Sequence, residues 1–243
     1  MTREMRINAS GVLYRDLNEK IRALGGDVII DGCIGQRYIG AALPAGRRLI
    51  INGVAGNATG AYLDGAEIIV NGNIQDAAGD TMNAGRIIVH GNAGDALGYA
   101  MRGGEIYIRG NAGYRCGIHM KAYKEKLPVI VVGGRCGSFL GEYQAGGLII
   151  VLGLGATLPA VGYFPGTGMH GGKILLRGDY SDLSVPPQVR LMEATEEDID
   201  DAAVYISRFC EYFGTDYDEI ISSPFWKMIP NSKNPYKQLY VQN

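Results

Sequence analysis

The side chains that most often hold metals or act as nucleophiles are few and dispersed in this sequence. The three histidines and four cysteines are His90, His119, His170, Cys33, Cys116, Cys136 and Cys210. Zinc and iron–sulfur sites need such ligands at short, clustered spacings, and the sequence has no His-x-x-x-His or Cys-x-x-Cys pair. The spacing therefore predicts no catalytic, cofactor-binding or metal-binding residue in this chain.

One glycine-rich segment, Gly166–Gly171 (GTGMHG), matches the pattern of a dinucleotide-binding loop. That pattern binds a dinucleotide when it lies between a strand and a helix, whereas here a strand-like run, 173–177, follows directly. Lys173 also resembles the lysine of a phosphate-binding loop, but Ile174 stands where a serine or threonine is needed. We attribute both matches to the abundance of glycine, and we interpret the acidic run 196–201 as a solvated helix start.

Two histidines lie in segments that resemble insertions into a repeat, IHMKAYKEKLP and AVGYFPGTGMHG. Insertions in repeat proteins form loops on one face, and such loops often bind partners. The hypothesis of a protein interface there rests on residues of types enriched where proteins meet, namely His119, His170, Met120, Tyr123, Tyr163, Phe164 and Met169. The alternative for each of them is an ordinary surface loop.

Cys116 and Cys136 fall at nearly equivalent positions of adjacent repeats, which predicts that their side chains approach each other. Small buried thiols that fill a corner are the commoner arrangement, so we assign them no redox role.

The composition indicates a folded protein without an affinity for polyanions. The 243 residues are 47% hydrophobic and 20% charged, with a formal net charge of −2, so no basic field would attract nucleic acid or an anionic membrane. No apolar run approaches the ~20 residues of a membrane helix, and the start MTREMRINAS is not a signal peptide. Cysteine usage and this start predict a cytoplasmic location.

Glycine is the unusual residue, with 37 copies against an average usage of about 7%. A phrase of apolar run, glycine and turn recurs about every 19 residues, with anchor glycines Gly32, Gly53, Gly72, Gly91, Gly110, Gly134, Gly153 and Gly178. Short Ile/Val/Leu runs between tight corners are typical of stacked parallel strands. The repeat predicts an all-β solenoid, a right-handed parallel β-helix of about 7 coils with short N-terminal and C-terminal helices.

Asparagines form one column of the repeat at Asn73, Asn92 and Asn111. Asparagine tolerates the left-handed backbone region and can hydrogen-bond its copies in neighbouring coils, so we expect a ladder.

The two ends of the sequence differ from the repeat and predict caps. Residues 14–24 place apolar side chains at helical spacing and stop at two glycines, and residues 195–213 form a helix with a threonine cap before Gly214. We expect a β-helix domain with a helical cap over residues 1–190, and a C-terminal helix and extended tail packed on it over residues 191–243.

The glycine-spaced coils, especially GNAGDALGYAMRGGEIYIRGNAGYRCG, resemble the C-terminal GXGXG domain of the glutamate synthase large subunit. A similar domain occurs in one of the subunits of formylmethanofuran dehydrogenase. The motif resemblance covers roughly residues 26–179, and the segment FWKMIP near the end is also similar.

The resemblance implies a non-catalytic structural subunit of a glutamate-synthase-type complex, here encoded as a separate chain. Its partners would be glutaminase-type and FMN-binding subunits, and FMN and the iron–sulfur cluster would lie in those partners, with no cofactor in this chain. The family's glutaminase begins with a cysteine nucleophile, whereas this sequence begins Met1-Thr2. N-methylglutamate synthase, formylmethanofuran dehydrogenase, a self-contained β-helix binding protein and a homo-oligomer remain alternatives.

Overall fold

The computed structural model describes residues 5–231, and it contains one long sheet. Nine strands pair in parallel and in sequence order: β1 (Met5–Asn8), β2 (Asp27–Ile34), β3 (Arg48–Val54), β4 (Asp64–Asn71), β5 (Ala84–Val89), β6 (Gly104–Ile108), β7 (Pro128–Val132), β8 (Ala145–Val151) and β9 (Gly171–Arg177). Each strand lies in register with the equivalent residues of the next coil, as in the pairing of Ile68 with Ile87. The predicted parallel β-helix of about 7 coils is confirmed.

Alternate residues of each strand point into the solenoid and form its core. Inward columns such as Leu49, Ile68, Ile87, Ile106 and Ile130 are fully buried, and they belong to one cluster that runs the length of the molecule. Branched side chains stacked one above another in this way explain why each run is rich in isoleucine and valine.

Two helices occupy the predicted places. Helix α1 (Tyr14–Ala23) packs Leu17 and Ile21 into the core, and the Arg47 side chain donates to the Ile21 carbonyl at its end. Helix α2 (Glu196–Phe213) begins at a capping box formed by Thr195 and ends at left-handed Gly214. A short helix, α3 (Tyr217–Ile221), follows.

Helix α2 covers the outer face of the sheet from β5 onwards. Its Ala202, Ile206 and Phe209 pack on outward side chains such as Tyr107 and Ile150, forming a second buried cluster. The later strands are therefore buried on both faces.

The C-terminal segment completes the sheet in the opposite direction. Strand β11 (Phe225–Pro230) pairs antiparallel with β9, and β10 (Val189–Glu193) pairs antiparallel with β11. The extended conformation predicted for the tail is present over these residues, and its remainder, 232–243, lies outside the described residues. The proposed division at residue 190 stays a prediction.

The second side of each coil is less regular than the first. Its pairing consists of single bridges that link Ala55, Ile74, Ala93, Ala112 and Cys136 in one column. Glycine and turn residues on both sides leave too few extended residues for a ladder, so the coil has one strand per turn.

Asparagine side chains form the predicted ladder by a different geometry. Each Oδ1 atom accepts the backbone N–H one coil on, at 2.8 Å from Asn73 to Asn92 and at 2.8 Å from Asn92 to Asn111. None of the three has a positive φ angle, so the ladder does not use the left-handed conformation that asparagine tolerates. The left-handed positions lie elsewhere in each coil.

Candidate interaction surface

Each of seven coils turns at a corner that places three alternate residues in the left-handed region. In coil 3 these are Ala77, Gly79 and Thr81, with φ angles of 55°, 68° and 52°. The first position holds, from coil 1 to coil 7, Tyr38, Ala58, Ala77, Ala96, Arg115, Phe139 and Phe164. The third holds Ala42, Tyr62, Thr81, Ala100, His119, Tyr143 and Gly168.

The middle position of every corner is a glycine, and in coils 1 to 6 a side chain there would clash with the core. A Cβ atom on Gly79 would lie 2.5 Å from Cδ1 of Ile106, and the same atom on Gly141 would lie 2.6 Å from Cδ1 of Ile174. The glycine thus admits the core side chain of a later coil. The two outer positions face away from the core, and they accept side chains of any size.

The late coils, 5 to 7, carry rings and a cation at the first corner position. The Arg115 guanidinium lies 5.1 Å above the Phe139 ring, and the Phe139 and Phe164 rings stack with centroids 5.4 Å apart. Tyr163 lies beside Phe164, and these two side chains are 78% and 61% exposed. Large apolar side chains this exposed mark an interaction surface when they are contiguous.

A second stack follows the third corner position. The His119 and Tyr143 rings are nearly parallel, with centroids 5.1 Å apart, and Tyr99 meets the other side of His119 edge-on. Gly168 continues the column below the Tyr143 ring, where a Cβ atom would clash with that ring. We call the corners of coils 5 to 7, with Tyr163, the aromatic corner.

A groove of about 540 Å³ adjoins the aromatic corner at its C-terminal end. Apolar side chains predominate in its lining, including Leu158, Tyr163, Phe164 and Leu183, and Arg135 and Asp182 supply the charges. A concave apolar surface with a few polar groups at its edge suits a protruding side chain of another protein.

The structure divides the predicted interface residues into two groups. Tyr123, Tyr163, Phe164 and His119 are exposed, and His170 is half-buried with Nδ1 3.1 Å from the Gly168 carbonyl. Met120 and Met169 are fully buried in the core, so their assignment to the interface is wrong. Side chains in each corner point alternately out of and into the solenoid, and both methionines occupy inward positions.

The insertions lie beside the histidines rather than around them. Strand pairing places Ile106 opposite Ile130, so the extra residues of the first insertion lie before β7. A bridge between Tyr123 and Lys126 closes this insertion as a hairpin. The second insertion lies within residues 154–160, because Cys136 pairs with Val161. His119 and His170 therefore belong to regular corners, and the sequence spacing located these insertions too broadly.

The thiols of Cys116 and Cys136 meet inside the solenoid although their columns differ. Cys136 stacks on Ala112 in the bridge column, whereas Cys116 lies four residues further along its coil. A hydrogen bond with Cys116, together with burial, raises the pKa of Cys136 well above its usual value. Both side chains are buried as free thiols, in agreement with a filling role.

The acidic start of α2 contains a buried carboxylate, which corrects its interpretation as wholly solvated. Asp198 is 5% exposed and accepts from Lys173 and Lys227 at 2.5 Å each. Burial alone would raise the pKa of Asp198, but the hydrogen bonds from both lysines and Thr195 lower it well below its usual value. Lys173 thus fastens α2 to β9 and belongs to no phosphate-binding loop.

An alternating ladder of charges lies on the outer face of the sheet, and sequence reasoning missed it. Arg48, Glu67, Arg86 and Glu105 occupy one column, with N–O distances of 3.1 Å in the first pair and 3.4 Å in the last. Arg208 of α2 joins Glu105 at 2.6 Å. Charged residues of alternating sign at intervals of 19 residues were the signal in the sequence that could have predicted this ladder.

Residues 5–231 contain no group of three or more His, Cys, Asp or Glu side chains placed to hold a metal ion. Within the same range, no helix has the length and apolar character needed to cross a membrane.

Comparison with protein families identifies the repeat. The model described as the GXGXG motif matches residues 8–232, nearly the whole chain. This chain belongs to the GXGXG family. The GXGXG domain is found in glutamate-synthase-type proteins, and here it accounts for the entire solenoid together with its helical caps.

One relative has the same extent as this GXGXG chain. The protein MJ1350 of Methanocaldococcus jannaschii, described as uncharacterized, is 42% identical over 252 residues. The match covers 98% of this chain and 97% of that protein.

Proposed function

We propose that this chain is a non-catalytic structural subunit of a glutamate-synthase-type complex, in which it positions a glutaminase-type and an FMN-binding subunit. The observation that carries the proposal is the family match over residues 8–232, since the GXGXG domain occurs in proteins of that type. FMN and an iron–sulfur cluster would belong to the partner subunits, and the complex would work in the cytoplasm.

A subunit that joins other chains needs an exposed apolar surface for them. Such a surface lies at the N-terminal end, where Leu13 and Ile34 are 70% and 76% exposed. Gln36 holds this end together, because its side chain accepts from the Ile34 amide and donates to the Val12 carbonyl.

The test is affinity purification of the tagged chain from its native host, followed by identification of the co-purifying subunits. We expect a glutaminase-type and an FMN-binding subunit, with glutamine-dependent reduction of 2-oxoglutarate in the eluate. Leu13→Ser with Ile34→Ser should remove at least one partner, whereas Leu127→Ser, also at an exposed leucine, should remove none.

Recovery of subunits that act on N-methylglutamate or formylmethanofuran would assign the chain to one of those complexes instead. Recovery of the chain without any subunit of these three complexes would refute a structural role in them.

A further inference from the structure

The corners of the seven coils form a continuous strip whose two ends differ in character. In coil 3 the strip carries the carboxylates of Asp76 and Asp80, and in coil 5 it carries the Arg115 guanidinium. Coils 1 and 2 present single tyrosines, Tyr38 and Tyr62, that are 46% and 56% exposed. Coils 6 and 7 present the rings and the groove of the aromatic corner.

We propose that this strip pairs two copies of the chain in a symmetric dimer, with the twofold axis passing through coil 4. A twofold interface must be self-complementary, so each coil of one copy faces the coil equally far from coil 4 on the other side. Coil 3 then faces coil 5, coil 2 faces coil 6, and coil 1 faces coil 7. Coils are ~4.8 Å apart, so the outermost pairs lie ~14 Å from the axis.

Charge complementarity supports this pairing at coils 3 and 5. Arg115 already contacts Glu142 at 3.0 Å, yet its side chain remains 50% exposed and can accept a second carboxylate. In the dimer, Asp80 of the second copy approaches that open side. The same contact occurs twice by symmetry, which orients the two copies antiparallel.

Apolar complementarity supports it at the outer coils. Tyr62 of one copy meets Phe139 and Tyr143 of the other, and Tyr38 meets the groove beside Tyr163. Tyrosines that protrude towards an apolar groove are the usual anchors of protein interfaces. The acidic middle and aromatic end of the strip thus each find a partner in a second copy.

The alanines of coils 2 to 4 supply variants that should fold. Because Ala58, Ala77 and Ala96 adopt the left-handed first position, alanine is compatible with that backbone at Phe139 and Phe164. Loss of a dimer in Phe139→Ala with Phe164→Ala therefore reports on the interface. Tyr123→Ala removes another exposed ring, from the hairpin outside the strip, and is the matched control.

The experiment is light scattering and sedimentation equilibrium on the purified full chain at micromolar concentration. We expect twice the 26.1 kDa chain mass. The double alanine variant and Arg115→Asp should each raise the dimer Kd at least tenfold, Tyr123→Ala should leave it unchanged, and Asp80→Arg combined with Arg115→Asp should restore the dimer.

A monomer at these concentrations would overturn the proposal, as would a dimer that the strip variants leave intact or a charge exchange that restores nothing. The proposal would also be overturned if the isolated chain is a monomer and a Phe164 substitution instead prevents co-purification of a glutaminase-type or FMN-binding subunit. That result would assign the strip to that subunit. The test uses the isolated chain, so its result is separate from that of the proposed function.

Discussion

The corners of coils 3 and 4 share their backbone with those of coils 5 to 7 and differ from them in side chains. Both groups use three left-handed residues around a glycine, yet the middle coils place Ala77, Thr81, Ala96 and Ala100 where the late coils place Arg115, His119, Phe139, Tyr143 and Phe164. The left-handed conformation costs a residue other than glycine about 1–2 kcal/mol, and a larger side chain does not reduce this cost. The fold therefore does not require rings there, which supports an interaction role for them.

The outer face of the sheet also differs between early and late coils, because α2 covers it only from β5 onwards. Asp198→Asn removes the carboxylate that joins α2 to Lys173 and Lys227, and it leaves two partly buried ammonium groups without their counter-charge. We expect the free energy of unfolding to fall by about 3 kcal/mol. Denaturant titration at pH 7 measures this, with the exposed Asp200→Asn as control.

The effect of Asp198→Asn should depend on pH in a defined direction. Because the folded state lowers the pKa of Asp198, its stabilisation is present above the usual carboxyl pKa of about 4 and is lost as the pH falls below that value. The difference between wild type and Asp198→Asn should therefore shrink below about pH 4. A constant difference from pH 7 to pH 3 would contradict the assigned pairing.

Replacement of the central corner glycine should show that the middle and late coils share one backbone requirement. Gly79→Ala and Gly141→Ala each combine left-handed strain with a clash against a core isoleucine, so we expect each to cost about 2–3 kcal/mol. Gly46→Ala, left-handed but in open space, should cost only about 1 kcal/mol. Thermal unfolding of the three variants tests this, and unequal effects in the two coils would refute it.

The charge ladder offers a smaller comparison between an open and a covered position. Glu105 accepts from Arg208 and Tyr107 beneath α2, whereas Glu67 has the exposed Arg48 as its partner. We expect Glu105→Gln to cost about 1.5 kcal/mol and Glu67→Gln less than about 0.5 kcal/mol. Denaturant titration of both variants checks the order, which the reverse ranking would contradict.

The smallest effect on stability should come from the aromatic corner itself. Phe139→Ala with Phe164→Ala removes one stacked pair, worth about 0.5–1.5 kcal/mol, and leaves a side chain that the middle coils already use. The stability of the isolated protomer, measured by chemical denaturation at low protein concentration, should therefore change by about 1.5 kcal/mol at most. A loss of about 3 kcal/mol would show that the rings belong to the fold rather than to an interface.

Much of the architecture was predictable because the physical signal repeats in every coil. The Ile/Val runs and anchor glycines located the strands, and Thr195 and Gly214 marked the ends of α2. Gly32 is the exception among the anchors, since a register shift in β2 places Cys33 opposite Gly53. A bulge of this kind shifts the pairing of one coil by a residue, and the amino-acid composition of the segment does not indicate it.

The surface was less predictable, because the sequence does not give the direction of a side chain within an irregular turn. Met120 and Tyr163 looked alike as interface candidates, yet the alternation at the corner buries the first and exposes the second. Ala58 and Ala77 gave no indication of a left-handed conformation, since glycine and asparagine are the residues that usually signal it. Contacts distant in sequence, such as Arg208 with Glu105, depend on where α2 packs.

The most direct test of a structural role in a glutamate-synthase-type complex is to assay the glutaminase-type and FMN-binding subunits with and without this chain. We predict that glutamine-dependent reduction of 2-oxoglutarate is lost when the chain is withheld and returns when the purified chain is added back, while glutamine hydrolysis by the glutaminase-type subunit alone persists. Full coupled activity in its absence would contradict the account.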